Sequence, residues 1–575
     1  MNRRSYEWWI IGVIGIGSYL LGIYGFHILF EKTSIERSPI DLAFQSLKLY
    51  GMEFPDEFKS PLPPSLELAR WVSPFVVLFA AFKTVLLILH SEMSVFRLKF
   101  RKNHVIISAY RIHSNNLIKE LVQHKKHVVV IADRTEFKTK YSYSLKGITC
   151  IDGDLTSSAF LKTVSAHKSE SIVFIDQEDD KNLEETYAVY DYLKTKGKDK
   201  EQLLLTHVAN DLKMSELEEL NFFKPYSAQN MKKANCHIRT FSSNERAARI
   251  LFNEFSPDIF QDIKSPTDPQ MHIALIGSGQ LVQSVLLRFA RLGHYANLKR
   301  LKITLFHEDE KMIPRLERNI KPIRKFVDLN LRYDDLDMFD SELFEKTHKE
   351  NPYTAVYLLC EDDALSSNIL NKLSKINIDN TLNVILSLVD PNGILNKWYK
   401  VEQLNQIKIH KFNLIEKVFT QESLFNNKLD ELAKFIHGDY YNKLPEEIRS
   451  NPNRRATQYP WDELSNENRN ANREQADHIA IKARAIGDTS KTLDGINKLS
   501  DEEIEILSEM EHIRWWANKA LSGHVYGTVK DDSKKIHCDM VPYAELDEPT
   551  KQYDRNAIKN IPELLRKKRQ QVEEY

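Results

Sequence analysis

Cysteine is scarce: there are four, at positions 150, 236, 360 and 538 of 575 residues, with no CxxC pair and no Cys/His spacing of a zinc site. That excludes a disulfide framework and points to free thiols, Cys150, Cys236, Cys360 and Cys538, in a reducing compartment. An excess of one charge is also missing. The 80 basic and 81 acidic residues give a formal net charge of -1, without the cationic surplus that nucleic-acid binding needs. Glycine and proline, 18 and 20, are too few for a collagen-like or low-complexity chain. No nucleophile–base pairing stands out, and Glu511-His512 lacks the second histidine of a zinc-protease helix, so no catalytic residue and no metal ligand is assigned. Mean hydropathy is -0.44, the value of a soluble globular chain. That average conceals two long apolar runs, and only two, which excludes a transporter with many spans.

The first run, Trp8 to Phe30, reads WWIIGVIGIGSYLLGIYGFHILF and carries no formal charge. As a helix it spans roughly 34 Å, enough for a bilayer core, with aromatics at both ends. It is longer than the apolar core of a signal peptide and runs into Glu31-Lys32-Thr33, so a retained helix is expected. The second run, Trp71 to Leu89, holds one charge, Lys83, near its middle. A mid-span lysine costs roughly 2.5–3.5 kcal/mol, so Lys83 either faces a pore or cavity or snorkels. Arg3 and Arg4 precede the first run, and Arg97, Lys99, Arg101 and Lys102 follow the second. The positive-inside rule then gives a two-span inner-membrane hairpin with both termini cytoplasmic and residues 31–70 outside. The intervening IDLAFQSLKLYG (40–51) reads either as an interfacial amphipathic helix or as the pore helix and filter of a two-helix channel. Only Tyr50-Gly51 matches a TVGYG carbonyl ladder, so a potassium-selective filter is not expected.

After Arg101 the pattern becomes alternating strands and helices. Strands are expected at 104–108, 127–132, 148–151, 171–175 and 202–208. A second series is expected at 271–276, 301–306, 354–359 and 382–389, offset by about 167 residues, which reads as a duplicated domain. The fold class is α/β: a transmembrane helical hairpin, two Rossmann-like doubly wound parallel sheets and a mainly helical C-terminal domain. A dinucleotide site needs glycines in the first strand–helix turn and an acid after the second strand. The second copy offers Gly277, Gly279 and Glu308, with Val282 in the third glycine's place. The first copy offers Asp133, but its turn, Ala109 to Ser114, contains no glycine.

HVIIS (104–108), Asp133, Gly153-Asp154, Asp180 with Asn182, HVAND (207–211), GSGQLV (277–282) and LLCEDD (358–363) together resemble tandem RCK domains, the Trk-type NAD-binding family (TrkA-N), over residues 100–425. The resemblance implies a cytosolic ring that passes ligand binding to a membrane pore, with NAD or another nucleotide as the cofactor.

From about Asn426 the strand pattern ends. Ser500 followed by Glu503 is a capping box opening a helix over 505–523. The pieces Glu511-His512-x-Arg514-Trp515, Gly523-x-x-Tyr526-Gly527, Lys535, Val541-Pro542-Tyr543, Tyr553-Asp554-Arg555-Asn556 and Ile561-Pro562 resemble the ryanodine-receptor repeat (RyR) domain. The upstream segment 460–479 fits its opening helix. Aromatic faces stack on bases and arginines grip phosphates, so Glu511, His512, Arg514, Trp515, Tyr526, Lys535, Tyr543, Tyr553, Asp554 and Arg555 are the candidate ligand set for a nucleotide-like anion. Structural ion pairing is the alternative reading of the same charges.

The domains are therefore expected at 1–98, 99–265, 266–430 and 431–575. The function expected is that of a ligand-gated channel or channel-like effector with partners in the lipid bilayer and a small nucleotide, assembled as a homo-oligomer, a tetramer, because two helices cannot enclose a pore. The domain combination suggests, by analogy, a prokaryotic source and an anti-phage role. The rival readings are a membrane-tethered NAD(P)-dependent enzyme and a non-conducting regulatory subunit of an ion transporter.

Overall fold

The computed structural model describes residues 3–55, 61–110, 112–133, 147–196, 201–209, 217, 236–309, 322–388, 393–398, 403–487 and 499–573. Within the motifs above, Asn210 and Asp211 lie outside these residues, as does Val389 at the end of an expected strand. The chain divides into two compact units, Met1–Phe100 and Arg101–Tyr575.

In the first unit, α1 (Arg3–Lys32) and α3 (Pro64–Leu98) run antiparallel on either side of α2 (Pro39–Lys48) in the chain order. Trp8–Lys32 and Pro64–Val85 are long and apolar enough to cross a membrane. Their outward faces carry Trp9, Ile16, Phe75 and Phe82, each more than half exposed, a surface that lipid covers at no cost. Small residues let the helices meet. The Ser18 and Ser73 hydroxyls are 2.7 Å apart, and a Cβ on Gly25 would stand 2.7 Å from the Leu66 backbone nitrogen. The second span begins at Pro64, earlier than the hydropathy run at Trp71. The Lys83 ammonium lies 5.0 Å over the ring of Trp8, the residue that opens the first apolar run.

α2 starts at a capping box of Ser38 and Asp41 with Pro39 in the first turn. It does not lie flat at the helix ends. The Ser46 hydroxyl donates to the Tyr19 carbonyl at 2.7 Å, and the Tyr50 hydroxyl donates to the Gly15 carbonyl. Gly22 has no Cβ because one would stand 2.2 Å from Ser46 Oγ. The segment thus descends along α1 with its C-terminal end near the middle of the apolar span.

The second unit holds two sheets of one plan. The first contains β1 (Val105–Ile107), β2 (Val128–Ile131), β3 (Ile148–Ile151), β4 (Ser171–Phe174), β5 (Gln202–His207) and β6 (Cys236–Phe241), in spatial order 3-2-1-4-5-6. All pairs are parallel, as in a doubly wound Rossmann sheet. Its helices include α4 (Ile112–Gln123), α5 (Asp179–Lys196) and α6 (Ser243–Phe255). The second sheet contains β7 (His272–Ile276), β8 (Leu301–His307), β9 (Val327–Tyr333), β10 (Ala355–Leu358), β11 (Leu382–Leu388), β12 (Gln403–Leu404) and β13 (Ile407–Asn413), in order 12-13-11-10-7-8-9. Read from β9 inward, it repeats the order of the first, with β12 added antiparallel at the far edge. α7 (Gln280–Leu292) follows β7, and α8 (Asp363–Leu373) follows β10. β6, β9 and β13 are additions to the expected strands.

The chain then turns helical: α9 (Glu431–Lys443), α10 (Asn466–Ala485), α11 (Asp501–Leu521), α12 (Glu548–Lys559) and α13 (Ile561–Glu573). One continuous apolar core joins Val173 of the first sheet, Leu251 of α6, Phe289 of α7, Ile479 of α10 and Met510 of α11. The C-terminal helices are packed into the same body as the sheets.

Candidate functional site

At the turn after β7, Gly277 and Gly279 both have positive φ, 140° and 88°. A Cβ on Gly277 would stand 2.7 Å from the Leu359 carbonyl oxygen, so close backbone approach between the ends of β7 and β10 requires glycine there. In front of Gly279 lies a carboxylate: a Cβ there would be 2.0 Å from Glu361 Oε1. The Ser278 hydroxyl donates to Glu308 at 3.0 Å. The turn, the ribose-type acid and a helix N-terminus are thus together, but a pyrophosphate enters only if Glu361 swings away. At the first sheet Tyr110 is buried in the glycine-free turn, and Asp133 is exposed at the end of β2. The other motif residues there are stitches. Gly153 is forced by the Phe160 ring, 2.0 Å from where its Cβ would be. Asn182 accepts from the Asp176 backbone N–H and donates to the Asp176 and His207 carbonyls.

The C-terminal cluster is organised by α11, which opens with the capping box of Ser500 and Glu503. It closes at Gly523, φ 88°, where the His524 N–H donates back to the Lys519 carbonyl. Helical spacing distributes its polar residues over three faces.

One face, Glu511, Arg514 and Asn518, is buried against α10. Arg514 donates twice to Glu511, at 2.7 and 3.1 Å. Lys482 donates to it at 2.6 Å, and Asn518 donates to Glu474 at 2.8 Å. Burial alone would raise the Glu511 carboxyl, but Arg514 and Lys482 hold it well below the usual carboxylate range.

A second face carries His512 and Trp515. The His512 Nε2–H donates to the Val541 carbonyl at 2.8 Å, and its Nδ1 lies 3.5 Å from Asp554. Trp515 stacks on His512 and meets His537 edge-on. Tyr543 donates its hydroxyl to Glu505, which Arg555 also grips. Tyr526 and Tyr553 project into solvent. Lys535 occupies a left-handed turn and donates to the Ser522 carbonyl. The ten residues are therefore spread over a buried network, an aromatic patch and the exposed positions Tyr526 and Tyr553.

The third face, Glu509, Ile513 and Trp516, opens into a pocket against the second sheet's domain. Its walls include Tyr295, Arg300, Lys325, Phe326 and Tyr543. Trp516 meets Phe326 edge-on at 5.8 Å, and the Lys325 ammonium sits 3.8 Å over the Trp516 ring. Burial lowers the Lys325 pKa. Aromatic faces beside cations make a site for a planar anionic ligand. The sequence reading named only Tyr543 of this pocket. The 509–513–516 spacing was the available signal, but it meets its partners, Lys325 and Phe326, only through the tertiary fold. Next to the aromatic patch, His537, Cys538 and Asp539 bring one ligand-type atom each within 4.8 Å. The Cys538 S–H donates to Asp539, and that hydrogen bond pushes the thiol pKa up and away from the metal-binding thiolate.

Residues 488–573 match the RyR domain family. Among solved structures, it is similar to the GsuK channel at 12% identity, covering 74% of this chain and 98% of that one, with a TM-score of 0.39. GsuK bound to ADP gives 12% identity, 73% and 98% coverage and a TM-score of 0.38. The human SLO3 gating ring gives 10%, 58% and 84%, with a TM-score of 0.37. No curated protein matches. The Rossmann-like assignment rests on the two strand orders.

Proposed function

We propose that this chain is one subunit of a ligand-gated membrane channel or channel-like effector. The observation that carries the reading is the half-helix α2, which folds back beside α1 so that Ser46 and Tyr50 reach the Tyr19 and Gly15 carbonyls. A water-soluble hairpin has no use for a capped helix ending within an apolar span. A pore does: the negative end of the helix dipole then points at the site of a permeating ion. On this reading Lys48, in the last turn of α2 and 3.8 Å from Glu53, is a better pore-lining residue than Lys83, whose ammonium lies over the Trp8 ring. Ile40, Phe44 and Leu47 form an exposed apolar stripe on α2 for neighbouring subunits, which supports a homo-oligomer and, with two spans per chain, a tetramer.

The domains we propose are a membrane part at 1–98, two RCK-like domains at 99–265 and 266–430, and an RyR module with its leading helices at 431–575. Both termini would be cytoplasmic, in an inner membrane. The sensed ligand is a nucleotide-type anion held at Trp516, Lys325 and Tyr543. Binding gates the pore by its different affinity for the two states.

Flux from liposomes containing the purified chain tests this. A nucleotide panel is expected to contain one member that opens it, with Trp516→Ala shifting the required concentration about tenfold or more. No flux with any member, from intact oligomers, overturns the channel reading.

A further inference from the structure

A second cleft lies on the other side of α10, where β6 and the start of α6 face residues 427–430 and the first turns of α10. Among the described residues, five arginines line it, Arg239, Arg246, Arg249, Arg469 and Arg473, against two acids, Asp430 and Glu245. The bonding within it is unequal. Asp430 accepts from Arg249 at 2.5 Å, from Arg473 at 2.9 and 2.6 Å and from the Asn427 amide at 2.7 Å, which occupies both its oxygens twice. Arg249 is further tied to Asp477. Arg246, although buried, reaches only neutral acceptors among the described residues, the Ser423 carbonyl and hydroxyl and the Asn427 amide oxygen. Arg239 donates to the Phe425 carbonyl at 3.3 Å, and its Nε has no hydrogen-bond partner.

We propose that this cleft is a binding site for a compact multivalent phosphate, either inorganic or the phosphate tail of a nucleotide, gripped by Arg239 and Arg246. Arginine forks match phosphate oxygens in pairs, and a site already desolvated gives such bonds their full strength. Burial pulls both guanidinium pKa values down to about 10; Arg246 adds to this at Arg239, and Asp430 offsets only part of it at each, which is the cost an anion would relieve. The site belongs to the second unit alone and is separate from the Trp516 pocket, so it does not depend on the channel reading.

The probe is inorganic pyrophosphate added to the detergent-solubilised full chain at constant ionic strength, with chloride as control. Unfolding temperature and calorimetric affinity are the readouts. Wild type is expected to gain several degrees, about 3 °C or more at saturation. Arg239→Gln and Arg246→Gln are each expected to weaken binding about tenfold or more. Arg239→Lys, which keeps the charge and loses the fork, is expected between Arg239→Gln and wild type. ATP stronger than pyrophosphate, with adenosine inert, assigns the site to a nucleotide tail, and equal affinity for ATP and pyrophosphate assigns it to phosphate alone. No pyrophosphate shift in wild type, or the same affinity in folded Arg239→Gln, overturns the proposal.

Discussion

Two charged clusters share the helix α10 and differ in how completely they are neutralised. On one face, Lys482 and Glu474 meet Arg514 and Glu511 of α11: Lys482 and Arg514 both donate to Glu511, and the Arg514 guanidinium lies 3.9 Å from Glu474. On the other, Arg473 and Arg469 face Arg239, Arg246 and Arg249; Asp430 pairs with Arg249 and Arg473, and Asp477 holds Arg249 from behind. The first cluster is closed and needs no ligand. In the second, among the described residues that line the cleft, cations outnumber acids, and an incoming anion would complete it. Buried charge therefore separates into structure and site by its balance, and the residue types alone do not distinguish the two.

The largest way to break this contrast is to unbalance the closed cluster. Glu511→Ala leaves Arg514 and Lys482 buried against each other and is expected to cost about 3–5 kcal/mol, read as a lower urea midpoint. Arg514→Ala is expected to destabilise in the same way, so loss of ligand binding in that variant says nothing about a site. If Glu511→Ala unfolds like wild type, the network is not closed.

The second expected effect comes from His478, buried beside Lys482, with its Nε2–H donating to the His294 carbonyl at 3.0 Å. Burial first, and then the Lys482 charge, hold its pKa well below 6.5. Unfolded, it titrates near 6.5, so as pH falls the unfolded chain takes up the proton first. The stability His478 contributes is complete above that pH and is lost as pH falls below it. The expected loss is about 1 kcal/mol at pH 5.5 relative to pH 7.5. His478→Gln should flatten that slope, measured as urea midpoints at the two pH values. An unchanged slope removes His478 from the balance.

How far the sequence reached can be judged from particular elements. The strands it revealed, such as HVVVI and MHIALI, are apolar because both faces are covered in a parallel sheet. It missed β6 (CHIRTF), β9 (VDLNLRY) and β13 (IKIHKFN), where charged and polar residues interrupt the pattern. β6 and β9 are edge strands, and β13 is covered on its outer side only by the two-residue β12, so each keeps contact with solvent. The duplication was legible because β1 and β7 occupy equivalent central places. The Ser500 capping box was legible because it is local. Which face of α11 each residue takes was not, because Glu511 and Trp516 are assigned by partners more than 25 residues away in sequence, Lys482 and Lys325.

The smallest effect is expected at Arg239. Removing an ordinary buried arginine destabilises a fold, because it strands the acid that paired with it. Among the described residues Arg239 has no ion-pair partner to strand: its bond is to the Phe425 carbonyl at 3.3 Å, and the repulsion of Arg246, Arg469 and Arg473 opposes the attraction of Asp430. Arg239→Gln keeps an amide donor for that carbonyl and deletes one of the mutually repelling cations. Without ligand it should leave stability unchanged or raise it by a few tenths of a kcal/mol, about 0.5 at most, an effect that added salt would shrink by screening the repulsion. Arg473→Gln, which breaks a bidentate pair with Asp430, should go the other way by more than about 1 kcal/mol, the size of one charge-assisted bond. Urea titrations of the two variants side by side, at low and high salt, measure the sign directly. A clear destabilisation by Arg239→Gln would mean that this arginine is already satisfied, and the two faces of α10 would then be alike.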